Sequence, residues 1–232
     1  MATFTFEPMT LNLKMSVCFF AVLLLFVTAC QKADNNFNAR ISFLNGSVGA
    51  GSFTIKFNED ILIAAIPFDS LKKHSVVPSG TFKIGFYRGT NPAADFSFTT
   101  NIESGNDYTC FTFDSVDRYK VFFQKDILPG KVTDGKCAVR FFSLIPNSEN
   151  LSLQNDTGRV FLSGKSFASF ANTFEETDTT SRQIKIKTTG ATAALDSLFK
   201  PLVAGKIYTL FLTGSINGTG VQKPKMIFLE HN

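Results

Sequence analysis

Ser104-Gly105-Asn106-Asp107-Tyr108-Thr109-Cys110-Phe111-Thr112-Phe113-Asp114-Ser115 aligns without a gap to Ala204-Gly205-Lys206-Ile207-Tyr208-Thr209-Leu210-Phe211-Leu212-Thr213-Gly214-Ser215. Gly, Tyr, Thr, Phe and Ser recur in register, so one element is written twice. Each copy leaves a turn at its Gly and enters a run of Tyr, Thr and Phe, residue types that suit a pleated, half-buried surface.

Working outward, further blocks repeat in the same order. Residues 41–45 match 139–143, 53–56 match 151–154, and 68–71 match 167–170. Residues 79–84 pair loosely with 181–186, and 120–123 with 225–228. Collinear matches of this kind predict two copies of one domain, 39–127 and 137–232. The linker 128–136 carries Pro129, Gly130 and Gly135 as turn formers. Residues 81–86 and 183–187 alternate apolar and polar, the period of a strand with one face buried. Gly-rich turns bound many short runs. The reading is all-β: two tandem immunoglobulin-like antiparallel β-sandwich domains following a cleaved signal peptide. Short helices are expected only at 68–73 and 191–199. The Gly-x-x-Tyr phrase resembles the tyrosine corner of such sandwiches, where a Tyr hydroxyl bonds backbone upstream. Gly105, Tyr108, Gly205 and Tyr208 are therefore assigned structural roles.

The N-terminal segment reads differently. Lys14-Met15-Ser16 precedes an apolar run from Val17 to Val27, then Thr28-Ala29-Cys30. A basic start, a short apolar stretch and a small-residue cleavage site describe a secretory signal over 1–29. The run is shorter than the ~20 residues that span a bilayer. Met1, Met9 and Met15 are alternative starts. Val27-Thr28-Ala29-Cys30 resembles the bacterial lipobox, which implies acyl chains on Cys30 and stable anchoring. Residues 30–38 then form a polar, lipidated tether.

The repeated blocks resemble a bacterial family known as "domain of unknown function 4397". The carrying phrases are Val139-Arg140-Phe141-Phe142-Ser143-Leu144-Ile145-Pro146, Val77-Pro78-Ser79-Gly80-Thr81-Phe82, and Ala204 to Gly214. The resemblance implies tandem domains in a Bacteroidetes-type lipoprotein and brings no established activity or catalytic residues. Gln31-Lys32 before Asp34 is similar to a short signal that sends some Bacteroidetes lipoproteins to the cell surface. The expected location is the outer membrane, facing either the periplasm or the exterior.

Chemistry is sparse. The two histidines, His74 and His231, read as exposed and inert, and they cannot supply a usual zinc cluster. No Gly-x-Ser-x-Gly elbow or phosphate loop occurs. The acidic runs 175–178 and 114–117 lack the spacing of a calcium loop. Of four Cys, Cys110 and Cys137 remain in the mature chain. Export permits a disulfide between them as the alternative, but Cys110 sits at the apolar strand position of Leu210, so the leading reading is two buried or free thiols. The 27 Phe and absent Trp fit a core better than a sugar platform. A net charge of +4 without a basic run gives no sign of nucleic acid binding.

No catalytic, metal or cofactor site is assigned. The expectation is a non-enzymatic, lipid-anchored envelope protein that meets a protein or glycan partner in surface interaction or adhesion. A glycan- or peptide-binding lipoprotein of an uptake system is the alternative, with an unrecognised hydrolase third.

Overall fold

A computed structural model describes residues 38–114, 119–180 and 182–231. The signal, Cys30 and all but the last tether residue lie outside them. The first half contains β1 (Asn38–Asn45), β2 (Phe53–Phe57), β3 (Asp60–Ile66), β4 (Ser70–Pro78), β5 (Gly80–Arg88), β6 (Phe96–Ile102), β7 (Asp107–Asp114) and β8 (Tyr119–Lys125). The second contains β9 (Lys136–Ser143), β10 (Leu151–Asn155), β11 (Val160–Lys165), β12 (Glu175–Asp178), β13 (Ile184–Thr188), β14 (Asp196–Leu198), β15 (Ile207–Thr213) and β16 (Lys225–His231).

Each half is a two-sheet β-sandwich, and the strand order is the same in both. The first half has sheets β4-β1-β7-β8 and β3-β2-β5-β6; the second has β12-β9-β15-β16 and β11-β10-β13-β14. Pairing is antiparallel except between β1 and β7 and between β9 and β15, which run parallel. In the constant-type immunoglobulin order the first strand pairs with the second. Here β1 instead lies between β4 and β7, and β9 between β12 and β15.

Register ties the repeats residue by residue. Ile41 stands opposite Tyr108 as Val139 stands opposite Tyr208. Phe111 faces Phe122 as Phe211 faces Ile227. By the same ladders Ser42 corresponds to Arg140, and Asp126 to His231.

Neither short helix expected from sequence forms: each segment is a turn or loop that runs into a strand. Residues 70–72 pair with 43–45 of β1, and 196–198 pair with 184–186 of β13. A single helical turn nucleates poorly, whereas a ladder gives every backbone group on one side a partner at once. Among the described residues the only helical element is a 3₁₀ turn, Gly220–Gln222, and no helix is long and apolar enough to cross a membrane.

The inner strands are buried on both faces. One face of β1 and β7 sends Ile41, Phe43, Tyr108 and Cys110 into the first core. One face of β9 and β15 sends Val139, Phe141, Tyr208 and Leu210 into the second. Their opposite faces meet in a third cluster, with Leu44, Phe111 and Phe113 from the first half against Phe142, Phe211 and Leu229 from the second. The Phe111 ring has Phe122, Phe142, Phe170 and Phe211 within 5.0–5.6 Å. Much of the Phe excess is thus spent joining the halves, which fall in one compact unit.

Candidate functional site

The repeated Gly-x-x-Tyr phrase builds the same corner twice. Gly105 (φ 73°) and Gly205 (φ 75°) take the left-handed turn that a side chain disfavours. The Tyr108 hydroxyl accepts the Glu103 backbone N–H at 2.9 Å, and the Tyr208 hydroxyl accepts that of Val203 at 3.1 Å. Both rings are buried, beside Phe123 and Phe228 respectively.

Cys110 and Cys137 are free, buried, and placed in different cores, so no bridge joins them. Burial pushes both thiols up, Cys137 to about 11. A thiol held protonated is a poor nucleophile.

The acidic run 175–178 lies at β12, with its carboxylates shared among separate donors. Glu175 meets Lys165, Glu176 accepts the Thr133 N–H, and Asp178 meets Lys136 and Arg159. In the other run, Asp114 accepts from the Ser47 hydroxyl and the Val48 N–H, while 115–117 lie outside the described residues. Among the described residues no three His, Cys, Asp or Glu gather as a metal site would need.

The expectation of two exposed histidines is overturned. His231 is 3% exposed, and His74 is half-buried with Nε2 3.1 Å from the Glu230 carbonyl oxygen. β16 pairs with β15 through His231 itself.

His231 belongs to a buried polar cluster between the halves. Arg140 and Asp126, each with a side chain only 1% exposed, pair at 2.8 Å. Arg140 donates Nε and Nη2 to the Thr209 hydroxyl at 3.1 and 2.9 Å. Its plane lies 4.5 Å from the Phe174 ring centre. Thr109 donates to Asp126 at 2.8 Å, and Thr209 stands 2.8 Å from His231 Nε2. His231 Nε2 therefore meets a hydroxyl that also accepts from Arg140. Burial, then Arg140, His74 and Arg40, push the imidazole down to about 3. Burial likewise raises the Asp126 carboxyl, against the opposing pull of Arg140. One arginine thus serves both halves, its guanidinium replacing the Ser42 hydroxyl of the first copy. Apart from His231 Nδ1, which is buried without a hydrogen-bond partner, the groups are paired and shut from solvent, an arrangement suited to fixing orientation.

An accessible arrangement lies elsewhere, between the edge strands β6 and β8. Phe98 closes the seam against Phe123, with centroids 5.4 Å apart. Beyond them a cleft of about 430 Å³ is lined by Arg88, Asp95, Phe96, Tyr119, Lys120 and Val121. Arg88 donates Nε and Nη2 to Asp95 Oδ1 at 3.0 and 2.8 Å, and its backbone N–H to Oδ2 at 2.8 Å. Burial alone would raise the Asp95 carboxyl; the Arg88 bonds outweigh it and hold the group below its ordinary value. The guanidinium sits 5.0 Å from the Tyr119 ring centre. In the second half Thr188, Leu195, Asp196 and Pro224 occupy the positions of Arg88, Asp95, Phe96 and Tyr119. There Asp196 accepts the Met226 N–H at 2.6 Å and stitches β14 to β16. None of these cleft residues was singled out from sequence.

A family model described as "Domain of unknown function (DUF4397)" matches residues 39–154, half of the chain. The chain belongs to this family. The match covers the first sandwich and continues through β9 into β10. No curated protein matches the chain.

Proposed function

We propose that this family member is a non-enzymatic, lipid-anchored protein of the bacterial cell envelope, exported from the cytoplasm and held by acyl chains on Cys30. Its two sandwiches serve as one stiff body that offers the first half's open cleft to a partner at or beyond the outer membrane. The basic, apolar and small-residue pattern ending at Cys30 supports the anchor. The observation that carries the binding role is the difference between the halves: both seams border a cleft of about 430 Å³, but only the first half's carries an arginine fork with aromatic walls, while Asp196 stitches the other seam. The second half then acts as a mount.

Metabolic labelling with a radioactive fatty acid tests the anchor. Label is expected on the wild-type chain and absent from Cys30→Ala; label retained by Cys30→Ala would remove the anchor. Protease added to intact cells tests the location. Digestion of the mature chain is the result expected for surface exposure, and protection until lysis would place the body in the periplasm.

A further inference from the structure

We propose that the cleft between β6 and β8 binds a compact organic carboxylate carried on a ring, with the carboxylate on Arg88 and the ring against Phe96, Tyr119 and Val121. The inference rests on the binding role proposed above and names the ligand's chemistry. The first argument is the repeat itself, which supplies an internal control. The β5–β6 hairpin and its counterpart share the same turn bonds: Asn91 N–H to Arg88 O and Asp95 N–H to Phe86 O in one, Ala191 N–H to Thr188 O and Leu195 N–H to Ile186 O in the other. The second hairpin forms with Thr188 and Leu195, so the fold does not require an Arg–Asp pair there. With the Arg88 side chain 45% exposed, solvent screening limits what the pair adds to stability.

The second argument is the balance of donors and acceptors. A guanidinium carries five N–H donors, and the two bonds to Asp95 commit only one side of Arg88. Asp95 is 9% exposed at its side chain and engaged through both oxygens, so it orients the fork and presents little free acceptor. Exposed Lys120 adds a second cation at the rim. The cleft is therefore rich in donors and poor in acceptors, which selects an anion able to accept in a planar, bidentate manner. The third argument is shape. The volume of about 430 Å³ lies within the range of small-molecule sites, roughly 300–1,000 Å³. The other lining residues, Phe96, Tyr119 and Val121, are aromatic and aliphatic, suited to an apolar ring face.

Saturation-transfer NMR on the detergent-solubilised full chain tests this directly, with four probes: glucuronate, phenylacetate, phenylacetate methyl ester and glucose. Transfer to ring protons is expected for at least one of the two carboxylates. Whichever of them binds identifies a sugar acid or an aromatic acid as the source of the chemistry. The ester and glucose should bind about tenfold more weakly, as loss of a charge-assisted bond implies. The double variant Arg88→Thr/Asp95→Leu, which installs the second half's residues, should keep its circular dichroism and lose the transfer. Equal transfer from glucose or the ester, no transfer from either carboxylate, or unchanged transfer in the double variant would each overturn the assignment. None of these results depends on where Cys30 places the protein, so a failed anchor and a failed ligand site are told apart.

Discussion

The two sandwiches agree wherever the backbone is being organised and part company where side chains meet solvent or each other. Both build a Tyr corner on a Gly turn, both set a parallel pair in the inner sheet, and both close the same hairpin with the same backbone bonds. They differ at Ser42 and Arg140, at Asp126 and His231, and at Arg88 and Thr188. The shared set makes each half a sandwich. The first two differences make one body of the two halves, and the third puts an arginine fork in the seam cleft of only one of them. A duplicated chain thus reads as its own control: what it keeps is needed for the fold, and what it changes is free for other work.

The largest contrast should come from truncating equivalent positions. Arg140→Ala leaves the Asp126 carboxylate buried without its cation, a loss of about 3–5 kcal/mol. Ser42→Ala in the first half removes one acceptor of the His74 N–H and should cost about 1 kcal/mol. Urea denaturation midpoints compare the two, and equal losses would break the assigned asymmetry.

The next contrast is in pH. Folding lowers the His231 pKa from its ordinary value to about 3, so the unfolded chain binds the extra proton between those limits. Stability should therefore fall as pH drops below about 6.5, by up to about 1.4 kcal/mol per pH unit. Asp126, at the equivalent position, has a raised pKa and contributes with the opposite sign: its share of stability is lost as pH rises through its carboxyl window. His231→Gln should flatten the acid limb of the stability profile between pH 4 and 6.

Smaller and matched effects are expected at the corners. Tyr108→Phe and Tyr208→Phe each remove one hydroxyl–backbone bond and should each cost about 1 kcal/mol. The smallest effect belongs to the cleft, where Arg88→Thr/Asp95→Leu should change stability by less than about 1 kcal/mol. Thermal melts of the three variants check the order.

The repeat and the all-β architecture were legible because both follow from local alternation, and alternation survives in a single sequence. Residues 41–45 and 139–143, which match in sequence, occupy the same rungs. The helices expected at 68–73 and 191–199 failed because strand pairing with distant β1 and β13 outweighs local pattern. Arg140 sits between Val139 and Phe141 in an alternating run, where a polar residue reads as solvent-facing. Only the first sandwich, laid against that face, buries it. The cleft has its own signal in the repeat. Aligning 88–98 with 188–198 at the offset of the Tyr108 and Tyr208 pair sets Arg88 against Thr188 and Asp95 against Leu195.

Whether the halves are one body is settled most directly by calorimetric unfolding of the intact chain. A junction of packed Phe rings and a shared buried arginine predicts one cooperative transition, with calorimetric and van't Hoff enthalpies equal. It also predicts that Arg140→Ala moves that transition as a whole. Two separable transitions in the wild-type chain, with Arg140→Ala shifting only one of them, would show sandwiches that merely touch.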